Sequence, residues 1–261
     1  MAKKLPGLED ILRGEEYTEE QVAELPTTDN VGFTHLPVII LLDTSGSMAN
    51  NSAIGQVKKA IDDFLSNVAD PKDEFHRKLN RQGDFCVLRY GGLVETALEW
   101  TSGQRLPTRS NLRLVANGNT PMGEAIVQSA DQLLNRYRGY KLKRTRAFCG
   151  LVFNLTDGVP TDMDPNGNPA QQQMWRTAKN RVQLFESMGS QKNPYAQYIH
   201  FGTDRTSFEF LKSFAGDAPV FMPTSTEERM ERVNLLEGAD SFSRFVRFIE
   251  MSMNSIMAGD G

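Results

Sequence analysis

The 261-residue chain reads as an α/β protein built on a mostly parallel sheet. Three observations lead there. Val38-Ile-Ile-Leu-Leu-Asp43 is an unbroken aliphatic run that stops at a carboxylate, the pattern of a strand buried on both faces. Thr44-Ser45-Gly46-Ser47 is small, hydroxylated and turn-prone. Beyond it Ile54, Val57, Ile61, Phe64, Leu65 and Val68 recur at helical spacing and mark one apolar face. Leu151-Val-Phe-Asn-Leu-Thr-Asp157 then repeats the first theme, another buried strand ending at an aspartate. Strand, loop and helix in that order make half of a parallel α/β unit. Such folds carry their sites outside the carboxyl ends of the strands.

The elements follow in order. Residues 1–35 form an N-terminal extension or arm, polar and mildly acidic, ahead of a domain over 36–258. Leu8, Ile11 and Leu12 could line a short helix there, and Thr18 with Gln21 could form a capping box. The extension holds no apolar run of signal-peptide or membrane-span length, so the expected location is the cytoplasm, with no membrane partner. After the first helix, residues 70–83 are a charged connection. Asp84–Tyr90 and Leu93–Trp100 flank Gly91-Gly92 and read as a β-hairpin. Residues 101–119 lack regular pattern, and a loop of that length is often functional. The next helix carries Met122, Ile126, Ala130, Leu133 and Leu134. A helix near 171–188 buries Trp175, Ala178, Val182 and Phe185, and Tyr195–Phe201 is a strand. A helix with Phe208, Leu211 and Phe214 ends at Gly216, and Val220-Phe221-Met222 reads as the sixth and last strand. In the final helix, 241–257, Phe242, Phe245, Val246, Ile249, Met253 and Ile256 face inward, while Phe248 and Met251 offer a second apolar side.

Composition narrows the function. An apolar share of 39% suffices for a sizeable core, and a net charge of −4 exerts no global pull toward nucleic acid or anionic membrane. Cys86 and Cys149 lie in apolar runs and read as small buried hydrophobes, with a single bridge between them left open. The three histidines form no HExxH and there is no CxxC, which argues against zinc.

What remains is oxygen chemistry. Asp43, Ser45 and Ser47 would converge at the end of the first strand, Thr120 stands before Pro121 at a helix start, and Asp157 ends the second buried strand. Each also has a plain structural reading as a helix cap or turn residue. Together they offer carboxylates and hydroxyls with no nitrogen or sulfur, a shell for a hard cation such as Mg2+ or Mn2+.

Asp43-x-Ser45-x-Ser47, Thr120 and Asp157-Gly158 resemble the metal-ion-dependent adhesion site of von Willebrand factor type A domains. The wording Leu-Leu-Asp-Thr-Ser-Gly-Ser-Met, Asn-Thr-Pro-Met-Gly-Glu-Ala and Thr-Asp-Gly-Val-Pro-Thr-Asp is most similar to stand-alone bacterial proteins of the tellurite-resistance type. The resemblance implies a doubly wound, Rossmann-like six-stranded sheet with helices on both faces, the second hairpin strand being its one antiparallel edge. It implies Ser45, Ser47 and Thr120 as oxygen ligands, Asp43 and Asp157 as ligands directly or through water, and a partner protein's carboxylate as the incoming group. The function so implied is a Mg2+-dependent interaction module that scaffolds a bacterial stress-response or defence complex. The alternative is an adaptor of an AAA+ ATPase, with a metal-dependent hydrolase as the lesser reading.

Against an enzyme, Ser45 stands where a phosphotransferase would place its second carboxylate, and there is neither a glycine-rich phosphate loop with its lysine nor a GxSxG elbow. Two further stretches carry expectations. Asp162-Met-Asp164-Pro-Asn166-Gly167-Asn168 matches the opening of a calcium loop, but Gln173 stands where the bidentate carboxylate belongs, which favours a turn-rich loop. Arg136 to Arg146 has six basic residues of eleven and two tyrosines, a candidate second partner surface at the pole opposite the metal loops. Basic plus aromatic residues are a nucleic-acid footprint, and a solvated helix terminus is the simpler reading.

Overall fold

In this computed structural model the aliphatic run forms β1 (Leu36–Asp43), buried at every position. The structure describes residues 32–187, 189–190, 193–216, 220, 231–237 and 241–258. A short 3-10 turn, Gly46–Ser52, leads into α1 (Ala53–Ala69), and α2 (Glu74–Gln82) follows with Asp73 as its cap. Next come β2 (Gly83–Gly91), β3 (Leu93–Ser102), α3 (Met122–Leu142) and β4 (Gly150–Thr156). The chain continues with α4 (Pro169–Ser187), β5 (Ala196–Gly202), α5 (Arg205–Ala215), β6 (Val233–Leu235) and α6 (Ser241–Ala258).

The six-stranded sheet has the order β3-β2-β1-β4-β5-β6. β3 pairs antiparallel with β2 at one edge, and every other pairing is parallel. Alternation along β1 divides the interior into two layers. Val38, Ile40 and Leu42 pack with α1 and α6, whereas Ile39 and Leu41 pack with α3, α4 and α5. The strand order reverses between β1 and β4, so their carboxyl ends open the crevice where doubly wound folds place their sites. The patternless stretch after β3 runs along α1. There Asp62 Oδ1 accepts from Ser110 Oγ (2.7 Å) and Leu112 N (3.1 Å), with Leu106, Leu112 and Leu114 turned into the core.

Three expectations are corrected. Among the described residues the sixth strand is Val233–Leu235, paired with His200–Gly202, where the expected stretch was Val220-Phe221-Met222. Val220 is buried without joining the sheet, and residues 221–222 lie outside the described residues. So short a strand is chosen by the partner that meets it, not by its own propensity. In α6, Phe248 belongs to the inward side, its ring 5.6 Å from that of Phe201. Only Met251 of that expected pair is exposed.

The third correction concerns the basic stretch. α3 continues through it to Leu142, burying Arg136, Tyr137 and Tyr140. Arg136 lies between the rings of Trp100 and Tyr140, at 5.3 and 5.1 Å, with Nη2 2.8 Å from Asp84 Oδ2. His35 Nδ1 (2.9 Å) and the Tyr140 hydroxyl bond to the same carboxylate oxygen. The two tyrosines of the footprint are therefore core. Cys86 and Cys149 are both free and buried. Among the described residues no helix is long and apolar enough to cross a membrane.

Candidate metal centre

Asp43 ends β1 with its carboxylate fully buried and directed at the crevice loops. Its Oδ1 accepts the Ser45 amide at 2.8 Å and its Oδ2 accepts the Thr156 hydroxyl at 2.6 Å. Ser45 Oγ lies 3.0 Å from Ser47 Oγ, and Ser47 Oγ donates to Asp157 Oδ1 at 2.6 Å. Asp43, Ser45 and Ser47 are thus linked in one hydrogen-bonded set with Asp157, 110 residues beyond Ser47.

Thr120 is held beside them by backbone. The Gly46 amide donates to Gly118 O (3.0 Å), Asn117 N to Thr44 O (2.8 Å) and Gly92 N to Asn119 O (2.8 Å). Thr120 is itself buried, yet among the described residues its hydroxyl takes no part in the hydrogen-bonded set. Close approach here demands glycine. A Cβ on Gly118, which has φ 67°, would stand 2.6 Å from Gly92 Cα, backbone against backbone. Gly118→Ala should therefore cost about 2 kcal/mol or more, the left-handed penalty plus the clash. A drop of several degrees in Tm would register it, since about 1 kcal/mol moves a domain of this size by some 2–4 °C.

The electrostatics are those of a site short of positive charge. Burial pushes the Asp43 carboxyl up to about 6 against the opposing bonds from Thr156 and Ser45, and the Asp157 charge adds to the rise. Burial also raises Asp157, with Asp204 adding and the Ser47 bond opposing. Among the described residues neither carboxylate has a Lys, Arg or His partner.

Two residues near the site have roles that the sequence reading did not assign. Thr156 orients Asp43, and its signal was a hydroxyl at the end of a mostly apolar strand. Asp162 caps α3 from a distant loop, accepting Gly123 N (3.0 Å) and Glu124 N (2.8 Å). That role removes it from a calcium loop. Asp164 accepts Asn166 N in a local turn, and Asn168 exchanges bonds with Gln171 at the start of α4. Beneath the site lies a buried relay not anticipated from sequence. Tyr90 donates to Asn154 Oδ1 (2.7 Å), and Asn154 Nδ2 stands 3.2 Å from both His200 Nδ1 and Met122 Sδ. Burial, with the Arg232 charge, pushes His200 down to about 3, so it is neutral at physiological pH.

Residues 38–159 match the family model of the von Willebrand factor type A domain. The solved structures agree with that match in fold. Manganese-loaded TRAP protein of Plasmodium vivax superimposes with a TM-score of 0.50 at 18% identity, covering 84% of this chain and 73% of that one. The open conformation of the pilus adhesin SpaC from Lactobacillus rhamnosus GG gives 0.53 at 12% identity, covering 85% and 30%. The vWF domain of the type V pili tip protein Mfa5 from Porphyromonas gingivalis gives 0.51 at 10% identity, covering 84% and 96%. At these identities the likeness is one of fold. The chain spans less than half the length of several other structural matches, 48%, 40% and 31% of them. No curated protein matches it in sequence. The family model thus covers slightly under half of the chain, and the structural matches share its fold.

Proposed function

We propose that this chain is a von Willebrand factor type A domain acting as a metal-dependent protein-interaction module. In this reading Mg2+ or Mn2+ is held by Asp43, Ser45, Ser47, Thr120 and Asp157, and a partner protein completes the shell with a carboxylate. The observation that carries it is the spacing of the oxygens. Neighbouring links in the set measure 3.0 Å between Ser45 and Ser47 and 2.6 Å between Ser47 and Asp157. Cis oxygens around Mg2+ bonded at 2.0–2.1 Å would stand about 2.9 Å apart, so the set has the compactness that ion demands. The donor chemistry fits as well, with two carboxylates that lack a basic partner among the described residues and the buried Thr120 beside them. A bound dication would supply the positive charge against which an incoming carboxylate is worth most.

The surface around the site supports a protein as partner. Leu93, Val115 and Val159 are exposed, at 69%, 64% and 41%, the first at the start of β3 and the other two in loops. Leu93 follows Gly92 at the hairpin turn, Val115 precedes the Asn117–Thr120 loop, and Val159 follows Asp157-Gly158. Apolar side chains grouped around a polar centre are the makings of an interaction patch. The finer reading is a cytoplasmic scaffold in a bacterial stress or defence complex. It rests on the tellurite-resistance-type wording of the three motif stretches, and the two free, buried cysteines suit a reducing compartment.

Calorimetry with MgCl2 and MnCl2 on the EDTA-stripped chain tests the metal. One saturable site is expected, with Tm rising as the metal is added. At a hundredfold excess over Kd the stabilisation should be about 2.7 kcal/mol. Affinity capture in Mg2+ and in EDTA tests the partner, which should be held only in the first. Absence of saturable binding by either metal would overturn the proposal.

A further inference from the structure

A second charged surface lies at the pole opposite the candidate metal centre. The end of α3 and the turn into β4 expose Lys141, Arg144 and Arg146. Among the described residues none of the three has an acidic partner. Two large apolar residues are exposed with them, Leu142 at 41% and Phe33 at 45%. Arg144 sits at φ 53°, a left-handed conformation usually left to glycine or asparagine at a helix end, and it closes the turn by donating to Lys141 O at 3.1 Å.

The described chain enters at this same pole. His35 N donates to Arg146 O at 2.9 Å and Phe148 N to His35 O at 2.8 Å, so the backbone just before His35 runs beside the turn. The sequence preceding that point has the complementary chemistry. Residues 8–29 carry eight Asp and Glu against one Arg, interspersed with Leu8, Ile11, Leu12, Tyr17, Val22 and Leu25.

We propose that residues 8–29 dock on this basic pole, their carboxylates on Lys141, Arg144 and Arg146 and their apolar side chains on Leu142 and Phe33. Only a few residues separate Asp29 from the entry at Gly32. A tether that short holds the acidic stretch at an effective concentration of about millimolar or above, so weak individual contacts suffice. The docked stretch covers a basic patch that would otherwise attract polyanions, and it leaves the metal centre at the far pole untouched.

The test uses the full chain and a zero-length carbodiimide, which couples lysine amines to carboxylates in direct contact, with the products mapped by mass spectrometry. Links from Lys141 or Lys143 to a carboxylate within 8–29 are expected. In a mixture of isotopically light and heavy protein they should join residues of one molecule. Their yield should fall several-fold when salt rises from about 0.1 M to about 1 M, because the screening length shrinks from about 10 Å to about 3 Å. It should fall similarly in Arg144→Glu/Arg146→Glu, and the salt series still decides if that variant does not fold. No such link would overturn the proposal. Links only between light and heavy copies would overturn it in favour of a second copy. Retention of a single-stranded oligonucleotide that the variant loses, without intramolecular links, would overturn it in favour of nucleic acid.

Discussion

Arg136→Met should lower the unfolding free energy by about 3–5 kcal/mol, the cost of leaving a buried charge without its partner. Asp84 is wholly buried, and Arg136, His35 and Tyr140 converge on one oxygen of its carboxylate. Methionine matches much of the arginine's bulk, so the loss measures charge more than volume. Exposed pairs such as Lys59–Asp63 are worth no more than about 1 kcal/mol, which makes this buried pair the larger lever. Urea denaturation at neutral pH reads the effect. Adding Asp84→Asn to Arg136→Met should recover part of it by removing the stranded charge.

The same cluster sets a pH signature. Burial alone would raise the Asp84 carboxyl, but the bonds from His35, Arg136 and Tyr140 outweigh it and hold the carboxyl below its ordinary value. A depressed folded pKa contributes stability that is present above the unfolded value, about 3.9, and is lost as pH falls through the folded one. The gap between wild type and Arg136→Met should therefore be widest near neutrality and narrow below about pH 4. A gap unchanged between pH 7 and pH 3 would contradict the assignment of the effect to that carboxylate.

Asp43→Ala should abolish the calorimetric signal for Mg2+ while the far-ultraviolet circular dichroism stays unchanged. The substitution removes a carboxylate that both aims at the crevice and accepts the Ser45 amide and the Thr156 hydroxyl. Metal-dependent stabilisation, about 2.7 kcal/mol for wild type at a hundredfold excess of metal over Kd, should disappear with it. Thr156→Val provides a graded companion. It keeps every proposed ligand but frees one oxygen of Asp43, so it should weaken the metal several-fold without abolishing binding. Full Mg2+ affinity in Asp43→Ala would remove Asp43 from the site.

Much of this architecture was legible in the chain itself. Residues 38–42 are aliphatic without interruption and 151–155 are apolar but for Asn154, the pattern of a strand covered on both faces. Helical spacing marked the inward faces of α1, α4 and α5, and Gly91-Gly92 marked the hairpin whose second strand is the antiparallel edge. Because parallel sheets gather their loops at one edge, the sequence alone also led Asp43, Ser45, Ser47 and Asp157 to a common place. These are local periodicities, and local rules read them.

Tertiary structure decided what depends on partners distant in sequence. Arg136 and Tyr140 look like a basic, aromatic surface until Asp84, Trp100 and His35 are brought against them, 36 to 105 residues away, and turn them into core. The sixth strand went to Val233–Leu235 because three residues acquire strand character only from the edge they meet, here His200–Gly202. Asp162 became the cap of a helix that begins 40 residues earlier, and Thr156 became the support of a carboxylate on another strand. Whether a polar side chain ends in solvent, in a cap or in a buried pair is a free-energy choice among partners. Those partners come together only when the chain has folded.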